Sequence, residues 1–96
     1  MKNQRFSTNQ KIAIKSLAMD LKRVALGLHR GSFKMAERFT QEALKRISEI
    51  KSTEGSYLYK LLTSIQKILK NQHQGSAEDI LMYSTLIQNY AISKLG

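Results

Sequence analysis

Proline, cysteine and tryptophan are all missing from this chain of 96 residues. At an average usage of about 5% a chain this long would hold roughly five prolines. Their absence, with only five glycines, leaves little to interrupt a helix. Without cysteine neither a disulfide framework nor a thiolate metal site can form, so the composition fits a reducing compartment and a cytoplasmic location is the expectation. Acid is scarce as well: seven acidic residues face sixteen basic ones, for a formal charge of +9. Long apolar runs are lacking too. The longest uncharged stretch, Ile80 to Ser93, contains Ser, Thr, Gln and Asn and falls short of the roughly 20 apolar residues a membrane span needs. Lys2 and Arg5 lead to no apolar signal region, because Lys15, Asp20, Lys22 and Arg23 break the candidate segment. Neither a secretory signal nor membrane insertion is therefore expected.

What is present is helical periodicity. After a polar, basic arm over residues 1–7, Ile14, Leu17, Leu21, Val24 and Leu28 recur at alternating steps of three and four, one stripe of a helix near 8–29 capped by Ser7 or Thr8. Ile12, Met19 and Leu26 form a second apolar row, seven residues apart, with Lys11, Lys15, Lys22 and His29 between the rows within about 40° of one another. The second row predicts a contact with another helix, in the same bundle or in another chain. Gly31 suits the left-handed position that ends a helix, and Ser32 is placed to cap a second one over 33–51, with Phe33, Ala36, Phe39, Ala43, Leu44, Ile47 and Ile50 on its apolar side. Glu42 and Arg46 stand at pairing distance along it.

The turn Ser52 to Ser56 leads to a third helix, 57–70, with Leu58, Leu61, Leu62, Ile65, Ile68 and Leu69 inward. Ser76, with Asp79 three residues on, resembles a capping box for a fourth helix over 77–95. That helix is apolar on most sides: Ile80, Tyr83, Ile87, Tyr90 and Ala91 share a face, and Leu81, Met82, Leu86 and Ile92 fall outside it. This predicts that it is the most contacted helix. Short connections make successive helices antiparallel neighbours. The expectation is a single all-α domain over 1–96, an antiparallel up-down four-helix bundle whose core is shared in a dimer. A three-helix core with one outlying or swapped helix gives the same pattern.

Candidates for chemistry are few. The two histidines lie beside turns, Glu78 and Asp79 diverge by about 100° on a helix, and no zinc, P-loop, dinucleotide or nucleophile-elbow motif occurs. No catalytic residue, cofactor, metal or small-molecule substrate is expected, and the chain is read as no enzyme. One spacing has a counterpart elsewhere: Arg23 and His29, as R-VALGL-H, resemble the Arg-x(4-6)-His motif of HEPN-type helical ribonucleases. The resemblance implies an Arg23 that binds the scissile phosphate and a His29 that acts as general acid or base. Val24 stands where that family usually has a polar residue.

Two binding roles remain. The basic excess is N-terminal, with seven bases and one acid in residues 1–31. Lys2, Arg5, Lys11, Lys15, Lys22, Arg23 and Arg30 could track a nucleic-acid backbone, giving affinity without sequence information. Phe6 is the aromatic near that segment. The other role is protein interaction. Ile12, Met19 and Leu26 of the first helix and Leu81, Met82, Leu86 and Ile92 of the fourth exceed what one small core can hide, so an interaction or adaptor module is expected, partnered by itself or by another helical protein.

Overall fold

The computed structural model describes residues 6–95, without the side chains of residues 74 and 95. All of its regular structure is helical: α1 (Thr8–Arg30), α2 (Phe33–Glu49), α3 (Tyr57–Lys70) and α4 (Ala77–Tyr90), with no strand among the described residues. A 3₁₀ turn, Gln74–Ser76, precedes α4, and one π-type turn, Ala91–Leu95, continues it. The basic arm lies mostly outside the described residues, Lys2 and Arg5 with it.

Each helix boundary has a local cause. Ser7 begins α1 by accepting a hydrogen bond on its side chain from the Gln10 N–H, at 3.1 Å. At the other end Gly31 adopts φ 74°, where a side chain would be strained. The Gly31 and Ser32 N–H groups then donate to the carbonyls of Leu28 and Gly27, which closes α1 in a Schellman turn. Ser56 caps α3 through the Tyr59 N–H. Two expected caps differ. Ser32 occupies the N-cap of α2 but makes no side-chain capping bond. Ser76 is not the start of a capping box either, because the 3₁₀ turn before it already holds it in a helical conformation and its hydroxyl reaches back to accept from the His73 N–H.

The helices pack as a bundle in which α1 lies along both α2 and α4, while α3 closes against α2 and α4. This corrects the expectation for the fourth helix: α1 holds the centre, and α4 buries a single stripe of Ile80, Ser84, Ile87 and Ala91. The reason lies in small residues. Besides its stripe of Ile14, Leu17, Leu21, Val24 and Leu28, α1 buries Ala13, Ala18, Ala25 and Gly27 on the flanks, so about half its circumference is covered. Each fully buried Leu, Ile or Val contributes about 1.5–3 kcal/mol relative to exposure. From the other helices Ala36, Ala43, Ile47, Leu58, Leu61, Ile65, Ile80 and Ile87 join this core. Phe39, expected inside, is half-buried, and Phe33 is exposed. The second helix also ends two residues early, at Glu49, with Ile50 buried beyond it.

Polar ties fix the helix ends. Gln10 donates from Nε2 to the Glu49 carbonyl and accepts the Lys51 N–H on Oε1 at 2.7 Å, so a side chain of α1 caps α2. Gln72, after α3, donates to Thr40 Oγ1 of α2 at 2.7 Å. Ser84 Oγ donates to the Ala18 carbonyl at 2.7 Å, the one polar tie in the buried seam of α1 and α4 among the described residues.

Candidate functional site

Along the α1–α4 seam the small side chains that permit close packing also leave the surface hollow. Ala18, Ser84 and Ala91 form the floor of a groove of about 770 Å³, and around them stand Lys15, Met19, Lys22, Arg23 and Leu26 from α1, Gln88 from α4 and Ile92 from the π-type turn that continues it. Met19 and Ile92 are 54% and 67% exposed, so these apolar groups are in water rather than in the core. Lysine stems run beside them and carry their charge at the rim.

The sequence assigned the bases and the apolar residues to different roles, and the structure mixes them. Lys15, Lys22 and Arg23 share the groove with Met19, Leu26 and Ile92. Ile12, Leu81 and Met82 are exposed outside its lining, and Leu86 is half-buried against the core. Lys11 is half-buried, and Arg30 is exposed in the last turn of α1. The two neighbours of α1 within its own bundle are met by the alanine and glycine flanks, which is why the row of Ile12, Met19 and Leu26 stays open.

Arg23 has a second set of neighbours. Its guanidinium lies 5.4 Å from the centroid of the Phe39 ring, as does that of Arg38, and its Nη1 is 3.9 Å from Asp20 Oδ1. Asp20 is buried in the α1–α2 contact, with Arg46 Nε 3.9 Å from its Oδ2, too far for a hydrogen bond; both atoms are buried without a hydrogen-bond partner. Burial, reinforced by Glu42, outweighs the pull of Arg46 and Arg23 and raises the Asp20 carboxyl above the ordinary range. Arg46 pairs with Glu49 at 3.5 Å and not with Glu42 as its spacing suggested. The buried acid was readable in outline: Asp20 falls between Leu17 and Val24 on the same side of α1.

Elsewhere, Phe6 is no free stacking group, because its ring meets Tyr90 edge-on at 6.3 Å, and Tyr90 in turn stacks on Tyr57 at 6.2 Å. Burial raises the Tyr90 hydroxyl above its usual range. A second hollow, between α2 and the α3–α4 connection, includes Phe33, Glu37, Thr40, Gln72 and His73. His73 is engaged locally, accepting the Gly75 N–H on Nδ1 at 3.0 Å. His29 is exposed in the last turn of α1. About 120° around the helix separates it from Arg23. Among the described residues no three His, Asp or Glu side chains gather as metal ligands, and no helix is long and apolar enough to cross a membrane.

No protein-family model matches this chain, and no curated protein or solved structure matches it.

Proposed function

We propose that this chain is a non-enzymatic helical interaction module, that its bundle runs up-down-up-down, and that the α1–α4 groove is its docking face. The topology is supported by what meets at each end. Gln10 at the start of α1 bonds the end of α2, and Phe6 before α1 and Tyr57 at the start of α3 both contact Tyr90 at the end of α4. The observation that carries the function is the exposure of Met19, Leu26 and Ile92 in one groove. Exposed apolar groups gathered in a concavity gain about 25 cal/mol for each Å² a partner covers, and methionine adapts its shape to the surface it meets.

Lys15, Lys22 and Arg23 support a second reading, contact with nucleic-acid backbone, which would be steeply salt-dependent. The two separate by experiment. Light scattering at high micromolar concentration and polarisation of a labelled single-stranded RNA are measured at the same ionic strength. The interaction reading expects an assembly heavier than 11.0 kDa that Met19→Lys weakens. A monomer that binds the RNA, and loses it when Lys15 and Lys22 become Gln, would overturn that reading in favour of the second.

A further inference from the structure

The charge on the two helices of this face points to what covers it. The α1 wall carries Lys15, Lys22 and Arg23 without an exposed acid, since Asp20 is turned into the α2 contact. The groove residues of α4 and its continuation are neutral, Ser84, Gln88, Ala91 and Ile92, and toward the start of α4 the exposed Leu81 and Glu78 follow on the same side. One helix of the face is thus a basic amphipath, and the other is on this side neutral and apolar with a single acid, Glu78. We propose that the occupant is a second copy of this chain, with α4 of each copy laid over α1 of the other about a two-fold axis parallel to the helices. The proposal rests on the docking face and the helix directions given above.

Symmetry selects that axis. A two-fold in the plane of the contact but perpendicular to the helices would lay α1 on α1 and bring Lys15 and Lys22 against like charges. The parallel axis exchanges the two helices and keeps every residue at its own height. Those heights follow from the hydrogen bond between Ser84 and Ala18, which puts these two residues level. Because α1 and α4 run in opposite directions, Glu78, six residues before Ser84, is level with Val24, six after Ala18. It is therefore only about 3 Å along the axis from Lys22.

By the same count Leu81 is level with Leu21, between Met19 and Lys22, and Gln88 is level with Ile14, beside Lys15. Across the two-fold, Lys22 thus meets the partner's Glu78, Met19 meets the partner's Leu81, and Lys15 meets the partner's Gln88. The patch is two helices wide over the stretch where they run side by side, about 20 Å by 27 Å. Roughly 540 Å² per copy, about 1,100 Å² in total, clears the lower bound for a specific interface.

The test uses the full chain and two single variants, Lys22→Glu and Glu78→Lys, both at exposed positions. Each variant alone sets like charges against each other twice in the dimer, and its dissociation constant is expected to rise about tenfold or more with helical circular dichroism retained. An equimolar mixture should recover the dimer, because every cross-copy pair is then opposite in sign. No contact within one chain can produce that recovery. A dimer that neither variant weakens, or a mixture no tighter than its components, overturns the proposed pairing.

A monomeric wild-type chain overturns self-occupancy, and a designed acidic amphipathic peptide then separates the two levels of the argument. If the peptide binds and Met19→Lys abolishes binding, the docking face stands with a different occupant. If nothing binds, the docking face falls as well.

Discussion

Gly27 in α1 stands so close to α2 that a Cβ placed on it would lie 2.8 Å from the backbone nitrogen of Ala36 and 3.1 Å from its Cα. Two effects then oppose each other on Gly27→Ala. Helix propensity favours alanine by about 1 kcal/mol. The overlap is with backbone, which has no flexible end to swing away, and forcing atoms into a packed contact costs about 1–3 kcal/mol. The steric effect should win, so Gly27→Ala is expected to lower stability to chemical denaturation and Gly27→Val to lower it much further. A Gly27→Ala protein more stable than wild type would show that α1 and α2 separate without cost.

The second prediction concerns Gln10, whose amide holds both the Glu49 carbonyl and the Lys51 N–H. Gln10→Ala removes both bonds in an exposed setting, and at about 0.5–1.5 kcal/mol each the loss should be about 1–2 kcal/mol. The Lys51 amide should also exchange its hydrogen faster in the variant, while amides at the centre of α1 change only with global stability. Equal exchange at Lys51 in both proteins would count against the cap.

Gln10 and Gly27 also mark the limit of what the sequence conveys. Helix number and extent were legible because Ile14, Leu17, Leu21, Val24 and Leu28 repeat at helical spacing and Gly31 and Ser56 end or begin helices by local chemistry alone. Which helix would be central was not legible: apolar content pointed to α4, whereas close approach depends on Ala18, Ala25 and Gly27, whose small size carries little hydrophobic signal. A residue such as Gln10 is polar and unremarkable until a distant helix end arrives beside it. The groove was half legible. Lys15, Met19, Lys22, Arg23, Leu26 and Ile92 stand out in the sequence by charge or apolarity, whereas Ala18, Ser84 and Gln88 carry no such signal, and only the packing of α4 on α1 brings Ile92 to Lys15.

A third prediction contrasts two apolar positions. Ile87 is fully buried and Met19 is 54% exposed. Ile87→Asp places an unpaired charge in the core and should unfold the domain. Met19→Lys, on a helix surface, should stay within about 0.5 kcal/mol of wild type. Circular dichroism melts of the two variants at low micromolar concentration check this. Comparable destabilisation by both would mean that Met19 is part of the core and that the groove is not open.

The last prediction is the pH dependence of Asp20. Its carboxyl titrates above its unfolded value, chiefly through burial and despite Arg46 and Arg23, so the folded chain holds the proton more tightly than the unfolded chain does. Linkage then gives the sign. Between the unfolded and folded values the native state binds more protons, so stability falls as pH rises through that window and stays lower above it. At neutral pH the buried Asp20 carboxyl is a net cost of the fold, because neither its Oδ2 nor Arg46 Nε gains a hydrogen bond from their approach. Asp20→Asn keeps the shape and removes the charge, while Arg46 retains Glu49 and Arg23 retains Phe39. The variant should therefore melt a few degrees higher than wild type near pH 7, and the difference should close as the pH is lowered toward about 3, below the ordinary carboxyl value that governs the unfolded state. The measurement is a pair of melting curves across that range. An Asp20→Asn protein less stable at pH 7 than at pH 3, relative to wild type, would mean that the two arginines stabilise the carboxylate more than burial penalises it.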